Sequence, residues 1–119
     1  MENKNETSKG NLVISEDVTI KIATTAALEV PGIVSVTAGF NGIGGIFNKE
    51  ISRKPVSIGI LDTGLDIDVS VCIKKGGNIP EICAELQKAV KNAVQDMTGS
   101  AVNKVNVYVV DVDLKTVNN

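Results

Sequence analysis

The chain has 119 residues and a formal net charge of −2, with no long run of one sign. This length accommodates one domain, and the charge balance predicts no nucleic-acid partner, because phosphate neutralisation by Lys and Arg supplies most of that affinity. The chain contains no histidine, which excludes a Ser-His-Asp or Cys-His catalytic site within it and removes the most common zinc ligand.

The two ends of the chain are predicted to be tails around a single domain. Residues 1–9 contain one apolar residue, the initiator methionine, and such a polar segment is expected to be disordered. Residues 115–119 form the C-terminal tail. The domain therefore spans 10–114, and it opens with a short predicted strand at 10–15, GNLVIS.

A first helix is predicted immediately after this strand. Ser15 is a suitable N-cap, and the two acidic residues that follow it favour the positive end of the helix dipole. The helix is expected to run to about Glu29, because the residue before Pro31 is driven out of the helical region. The apolar stripe predicted to face the core consists of Val18, Ile22, Ala26 and Val30, widened by Ile20, Ala23 and Ala27.

A β-branched strand at 32–38 leads into a glycine-rich connection. Residues 39–54 contain four glycines and end at Pro55, which predicts a loop, and loops of this length tend to be functional or disordered. The stretch lacks the Gly-Lys-Ser/Thr end of a phosphate-binding loop. Its large apolar residues are candidate contacts with a partner protein: Phe40, Ile43, Ile46 and Phe47.

A β-hairpin is predicted between residues 56 and 74. The segments 56–61 and 65–74 alternate, with Leu65, Ile67, Val69, Val71 and Ile73 on one face of the second strand. Asp62, Thr63 and Gly64 lie between the two segments, and Asp and Gly are suited to the turn of a hairpin.

The triplet Asp62-Thr63-Gly64 also has the sequence of the catalytic loop in aspartic proteases. That reading requires a dimer, because two carboxylates about 3 Å apart must share one proton. In the retroviral enzymes the flap follows the triplet, whereas here the glycine-rich stretch precedes it. Their Gly-Arg-Asp or Gly-Arg-Asn motif is also missing, and two predicted helices are too many for a mostly β fold. The turn is therefore expected, with a dimeric aspartic-protease-like hydrolase as the alternative.

A second helix and a closing strand complete the domain. Asn78 is placed as N-cap with Pro80 in the first turn and Gly99 as the C-terminal stop. The apolar face of the helix consists of Ile79, Ile82, Cys83, Leu86, Val90, Ala93, Val94 and Met97. In the strand at 102–114, alternation places Tyr108 and Val110 on the face away from the helices, where they are candidate partner contacts.

These elements predict an α+β fold in β-α-β-β-β-α-β order. Each helix has one apolar face, so the expected architecture is a two-layer sandwich with two helices on one face of a mixed sheet of four to five strands. Cys72 and Cys83 are expected to be free and buried, as in a reducing cytoplasm. No cofactor or metal site is predicted, and no apolar segment is long enough for a signal peptide or a membrane span.

Four stretches of this sequence resemble the alkaline shock protein family, the envelope stress response proteins of Gram-positive-type bacteria. They are residues 10–33, 65–94 and 96–114, together with the variable glycine-rich loop between the first two. The most specific features are Glu29-Val30-Pro31-Gly32 at the end of the first helix, Ile79-Pro80-Glu81 at the start of the second, and Met97-Thr98-Gly99 before the last strand. The family's usual tyrosine-glycine before the second helix is replaced here by Lys75-Gly76-Gly77.

The resemblance implies a non-catalytic, self-associating cytoplasmic protein with a role in envelope homeostasis under stress. It further implies that a membrane-anchored partner protein holds the chain at the inner face of the membrane. The family has no established catalytic residues, so the resemblance assigns none to this sequence. The partners expected are therefore a second copy of the chain and a membrane-anchored protein, with no direct membrane span.

Overall fold

The computed structural model describes residues 14–38 and 54–114. In these ranges the chain forms two helices and four strands, in the order α-β-β-β-α-β. Their bounds are α1 Glu16–Leu28, β1 Ile33–Val36, β2 Val56–Leu61, β3 Gly64–Lys74, α2 Ile79–Thr98 and β4 Val102–Asp113. Of the strand predicted at 10–15, residues 10–13 lie outside the described ranges, and residues 14 and 15 precede α1 without forming a strand. The predicted tails also lie outside the described residues.

The sequence predicted both ends of α1 and most of its core-facing stripe, with the exception of Val18. Ser15 Oγ accepts a hydrogen bond from the Val18 N–H at 3.1 Å, which caps the helix. The helix ends two residues before the Val30-Pro31 bond. The side chain of Val18 is 47% exposed, because small residues form the surface that faces the core. The buried residues of α1 are Thr19, Ala23, Ala26 and Ala27.

The second helix has the caps that its sequence predicts, and its predicted apolar face is confirmed except at the two ends, where Ile79 and Met97 are exposed. Asn78 Oδ1 accepts a hydrogen bond from the Glu81 N–H at 3.1 Å. At the other end, Gly99 adopts a left-handed conformation with φ of 77° and its N–H donates to Gln95 O. The buried residues, each four positions after the one before it on one face, are Ile82, Leu86, Val90 and Val94.

The central strand of the mixed sheet is β3. β4 lies parallel to β3 along nearly its whole length, whereas β2 and β1 pair antiparallel with its N-terminal and C-terminal parts. β1 and β2 share one edge of β3, because Ser70 N–H donates to Pro55 O and Ser70 O accepts from Thr37 N–H. β4 therefore lies along the other edge, and α2 forms the crossover that two neighbouring parallel strands require.

Both helices pack against one face of this sheet. Alternate residues of β3, including Ile67, Val69 and Val71, are fully buried and form one core cluster with Ala23 of α1 and Leu86 of α2. The core is aliphatic, as expected for a chain with three aromatic residues. The predicted α+β architecture, with two helices on one face of a mixed sheet, is confirmed, and the described sheet has four strands.

Candidate protein-binding surface

The face of the sheet opposite the helices carries polar and aromatic side chains. Because side chains alternate along a strand, the residues between the buried positions of β3 point to this second face. We call it the open face, since both described helices pack on the other side. It consists of Asp66, Asp68, Ser70 and Cys72 of β3 with their β4 partners Lys104, Asn106, Tyr108 and Asp111.

A groove of about 540 Å³ lies on the open face. The residues that line it include Ala38, Lys54, Ser57, Asp68, Ser70, Tyr108 and Val110. Half of the Tyr108 surface is exposed, at 50%, and Val110 is half-buried. A tyrosine ring offers apolar area together with a hydroxyl group, the combination that is enriched in protein interfaces. The structure thus places both predicted contacts of the last strand on one accessible surface.

The polar residues near the start of β4 pair with β3. Asn106 Nδ2 donates to Asp68 Oδ1 at 2.8 Å, and Lys104 Nζ lies 3.9 Å from Asp66 Oδ2. The Lys104 side chain is 60% exposed, so its ion pair is screened by solvent and contributes little to stability. These contacts fix the polar end of the open face and leave Tyr108 at its centre.

The two free cysteines are not arranged as nucleophiles. Cys72 is buried on the open face, and burial raises the pKa of its thiol, with Asp111 and Asp113 raising it further. Cys83 on α2 is half-buried rather than buried as expected, and this partial burial also raises the pKa of its thiol. Since the thiolate is the reactive form of cysteine, raised pKa values make both thiols less reactive at neutral pH.

The Asp62-Thr63-Gly64 triplet lies at the predicted β2–β3 hairpin, where Asp62 and Thr63 form the turn and Gly64 is already the first residue of β3, paired with Leu61. Thr63 Oγ1 accepts a hydrogen bond from Asn103 Nδ2 at 2.9 Å. Gly64 has φ of +144°, and a Cβ built on it would lie 2.7 Å from Ala101 O. Thr63 and Gly64 thus hold the turn against the start of β4, and this structural role explains why a threonine and a glycine occupy these two positions.

Two glutamines of α2 have a role that sequence reasoning missed. Gln87 Nε2 donates to Val105 O at 3.0 Å, and Gln95 Oε1 accepts from the Val102 N–H at 3.1 Å. Both side chains therefore bond to backbone groups of β4. Their separation of eight residues, which places them on one side of a helix, is the signal that could have revealed them.

The remaining predicted contacts cannot be placed on this surface. Phe40, Ile43, Ile46 and Phe47 fall in the glycine-rich stretch, which lies outside the described residues. Their role in partner binding stays a prediction. Of the six candidate contacts, the structure brings together Tyr108 and Val110.

Comparison with known families decides the assignment. Residues 4–114 match the alkaline shock protein 23 family, described as having a cell envelope-related function. The chain belongs to this family. The resemblance read from the helix boundaries is therefore confirmed.

Bacterial relatives that match along most of their own length support the family assignment. YqhY of Bacillus subtilis (strain 168) is 30% identical over 112 residues, covering 93% of this chain and 83% of its own. YloU of the same strain is 30% identical over 106 residues, covering 87% of this chain and 88% of its own. Spy1614 of Streptococcus pyogenes serotype M6 is 29% identical over 109 residues, covering 89% and 90%.

Solved structures share the fold of this alkaline shock protein family member. A variant of MamM-CTD gives a TM-score of 0.50 at 14% identity, covering 82% of this chain and 98% of that chain. A copper form of MamM CTD gives the same TM-score at 13% identity with the same coverage. At this level of identity the likeness concerns the fold alone, and it agrees with the α+β sandwich.

Proposed function

We propose that this chain is a non-catalytic binding and assembly module of the cell envelope. In this proposal it associates with itself, lies in the cytoplasm, and is recruited to the inner face of the membrane by a membrane-anchored partner protein. The observation that carries the proposal is the open face, where Tyr108 is half-exposed beside a groove. The envelope-related description of the family supports the setting.

The free energy available at Tyr108 is sufficient to matter in an interface. Complete burial of a large apolar side chain is worth roughly 1.5–3 kcal/mol, so covering the exposed half of the ring contributes on the order of 1 kcal/mol per copy. In a symmetric dimer the same residue contributes twice. Val110 adds apolar area next to it, and the paired Asp68 and Asn106 form a polar rim.

Recruitment through a partner fits the helices that the structure describes. Within residues 14–38 and 54–114, neither helix is long and apolar enough to cross a membrane. A partner with its own anchor would then supply the attachment. Expression with and without candidate anchored proteins, followed by membrane fractionation, tests this step. The proposal expects the chain in the membrane fraction only when the anchored partner is present.

The open face is tested by charge insertion. Tyr108→Lys and Val110→Lys place an ammonium group in the proposed interface, and light scattering after size exclusion measures the resulting mass. We expect each variant to weaken self-association, because a buried unpaired charge is strongly unfavourable. Asn92→Lys is the matched control, since it adds the same charge at an exposed position of α2. Equal masses for all three variants and the wild type would remove the open face from the interface.

The non-catalytic part of the proposal rests on the missing histidine and on the structural roles of Thr63 and Gly64. It is tested with a peptidase assay across acidic pH on the concentrated wild-type chain. We expect no activity that a statine-type inhibitor abolishes. Such an activity, if it were lost in Asp62→Asn, would favour the aspartic-protease-like hydrolase instead.

A further inference from the structure

The backbone groups of β4 alternate between facing β3 and facing away from the sheet. Odd-numbered residues of β3 turn their N–H and C=O toward β4, as the hydrogen bond from Leu65 N–H to Ala101 O shows. In a parallel pair of strands, the β4 residue opposite such a β3 residue turns its own N–H and C=O away from β3, toward the outer edge of the sheet. The residues opposite Ile67, Val69 and Val71 are Val105, Val107 and Val109.

The first part of this outer edge is already covered by α2. Gln87 donates to the outward carbonyl of Val105, and Gln95 accepts from the N–H of Val102. Among the described residues, no side chain bonds to the outward groups of Val107 or Val109. Within the described part of the chain, the hydrogen bonds from α2 to the outer edge of β4 therefore end at Val105, three residues before Tyr108.

The uncovered part of the edge lacks the usual protection against pairing. Natural edge strands are commonly blunted by lysine, proline or short length. Residues 105–110, VNVYVV, contain neither a charge nor a proline, and β4 is 12 residues long. The charges stand at the two ends of this segment, with Lys104 before it and Asp111 after it, and both are exposed.

These end charges determine which strand fits the edge. If a second copy of β4 runs antiparallel, Lys104 of each copy approaches Asp111 of the other, whereas a parallel arrangement brings like charges together. We propose that the outer edge of β4 pairs antiparallel with the same edge of a second copy, about a two-fold axis, to form one continuous sheet. This inference rests on the proposed self-association and adds its geometry.

The pattern of outward groups favours an axis at Tyr108. In that register Val107 of one copy lies opposite Val109 of the other, so their outward N–H and C=O groups bond in both directions. An axis at Val107 would bring in the carbonyl of Val105, which Gln87 already occupies. An axis at Val109 would place Val107 opposite Asp111, which lies beyond the register irregularity of β4. At Tyr108 the two tyrosines meet as a cross-strand pair on the open face.

A charge exchange tests the antiparallel arrangement. Lys104→Asp and Asp111→Lys each place like charges together at two points of the dimer, and we expect the dimer dissociation constant to rise on the order of tenfold at low salt. The double variant Lys104→Asp/Asp111→Lys restores opposite charges and is expected to return to within about threefold of the wild type. Both residues are exposed, and the ion pair of Lys104 with Asp66 is screened by solvent, so we expect the fold to be retained. A double variant as weak as the singles would overturn the arrangement.

Backbone pairing has its own readout in the full chain. Val109→Pro removes an outward N–H to which no residue of the described ranges bonds, a substitution that edge strands tolerate. We expect loss of the dimer with an unchanged circular dichroism spectrum, and slow amide exchange at Val107 and Val109 in the wild-type dimer. If the oligomer persists in Val109→Pro and these amides exchange fast, edge pairing is wrong while self-association stands. A wild type that stays monomeric overturns both proposals.

Discussion

Gly64 lies at the point where the β2–β3 turn meets the start of β4. It combines φ of +144° with a position where a Cβ would lie 2.7 Å from Ala101 O. Gly76 also has positive φ, +89°, but its Cβ would meet nothing within 4 Å. The two glycines therefore separate the effect of backbone conformation from the effect of close contact.

We expect Gly64→Ala to destabilise the fold more than Gly76→Ala. The left-handed conformation alone costs a non-glycine residue about 1–2 kcal/mol, and Gly64→Ala adds a clash with a backbone oxygen that cannot move without breaking β4 pairing. The predicted loss is about 2–4 kcal/mol for Gly64→Ala. Urea denaturation measures both values. Equal losses for the two variants would show that the contact with Ala101 is unimportant.

The Cys72 thiol is expected to make the fold sensitive to alkaline pH. Burial and the neighbouring Asp111 and Asp113 raise its pKa above the ordinary value of 9.0. The folded chain then holds this proton to higher pH than the unfolded chain, so the free energy of unfolding is unaffected well below pH 9 and falls as the pH rises through the raised pKa.

Removing the thiol should lessen this alkaline loss. In Cys72→Ala, the decrease in unfolding free energy between about pH 8 and pH 10 is expected to be smaller than in the wild type. Denaturant titrations at each pH give the comparison, and Cys83→Ala shows the part that belongs to the second thiol, whose pKa burial also raises. Parallel pH profiles for Cys72→Ala and the wild type would contradict the assignment.

Within the elements, α2 packs against the sheet through a row of buried side chains spaced one turn apart. Leu86 is fully buried at its centre, between the buried Ile82 and Val90. Leu86→Ala should cost about 2–5 kcal/mol, because it removes transfer free energy and leaves a cavity. The exposed neighbour Lys88 is the control, with Lys88→Ala expected within about 0.5 kcal/mol of the wild type. Thermal unfolding tests both, and a small loss for Leu86→Ala would mean that α2 packs loosely.

The elements differ in how far the sequence could predict them. The ends of α2 carry strong local signals in Asn78 and Gly99, and the hairpin follows from alternation and turn residues, so both are confirmed. The stripe of α1 is confirmed except at its first turn, where Thr19 is buried and Val18 is exposed although valine is the more apolar of the two. Periodicity alone could not show that small residues pack against the core while the valine is exposed.

At the scale of the whole molecule, the sequence predicts the two layers of helices and sheet, but it does not predict which strands pair with each other. Two one-sided helices require a sheet to cover, which fixed the two-layer architecture. The placement of β1 and β2 along one edge of β3 depends on contacts distant in the sequence, and so does the edge position of β4. The eight-residue spacing of Gln87 and Gln95 indicates that they share one side of α2, but the backbone groups of β4 to which they bond follow from the position of that strand.

The same limit applies to the candidate surface. Alternation in the last strand placed Tyr108 and Val110 on the face away from the helices, because the alternate positions 105, 107 and 109 are valines that pack in or against the core. The sequence alone does not show that Lys104 and Asp111 lie at the two ends of an outer edge, because this depends on the order of the strands in the sheet. The sequence therefore identified the open face, and the structure was needed to add the edge of β4 beside it.

The central claim is that the folded chain associates with itself. Sedimentation equilibrium of the full chain over a wide concentration range measures this directly, without any substitution. The account predicts an average mass that rises with concentration from that of one chain towards at least twice that value. A mass that stays at one chain up to millimolar concentration would contradict it.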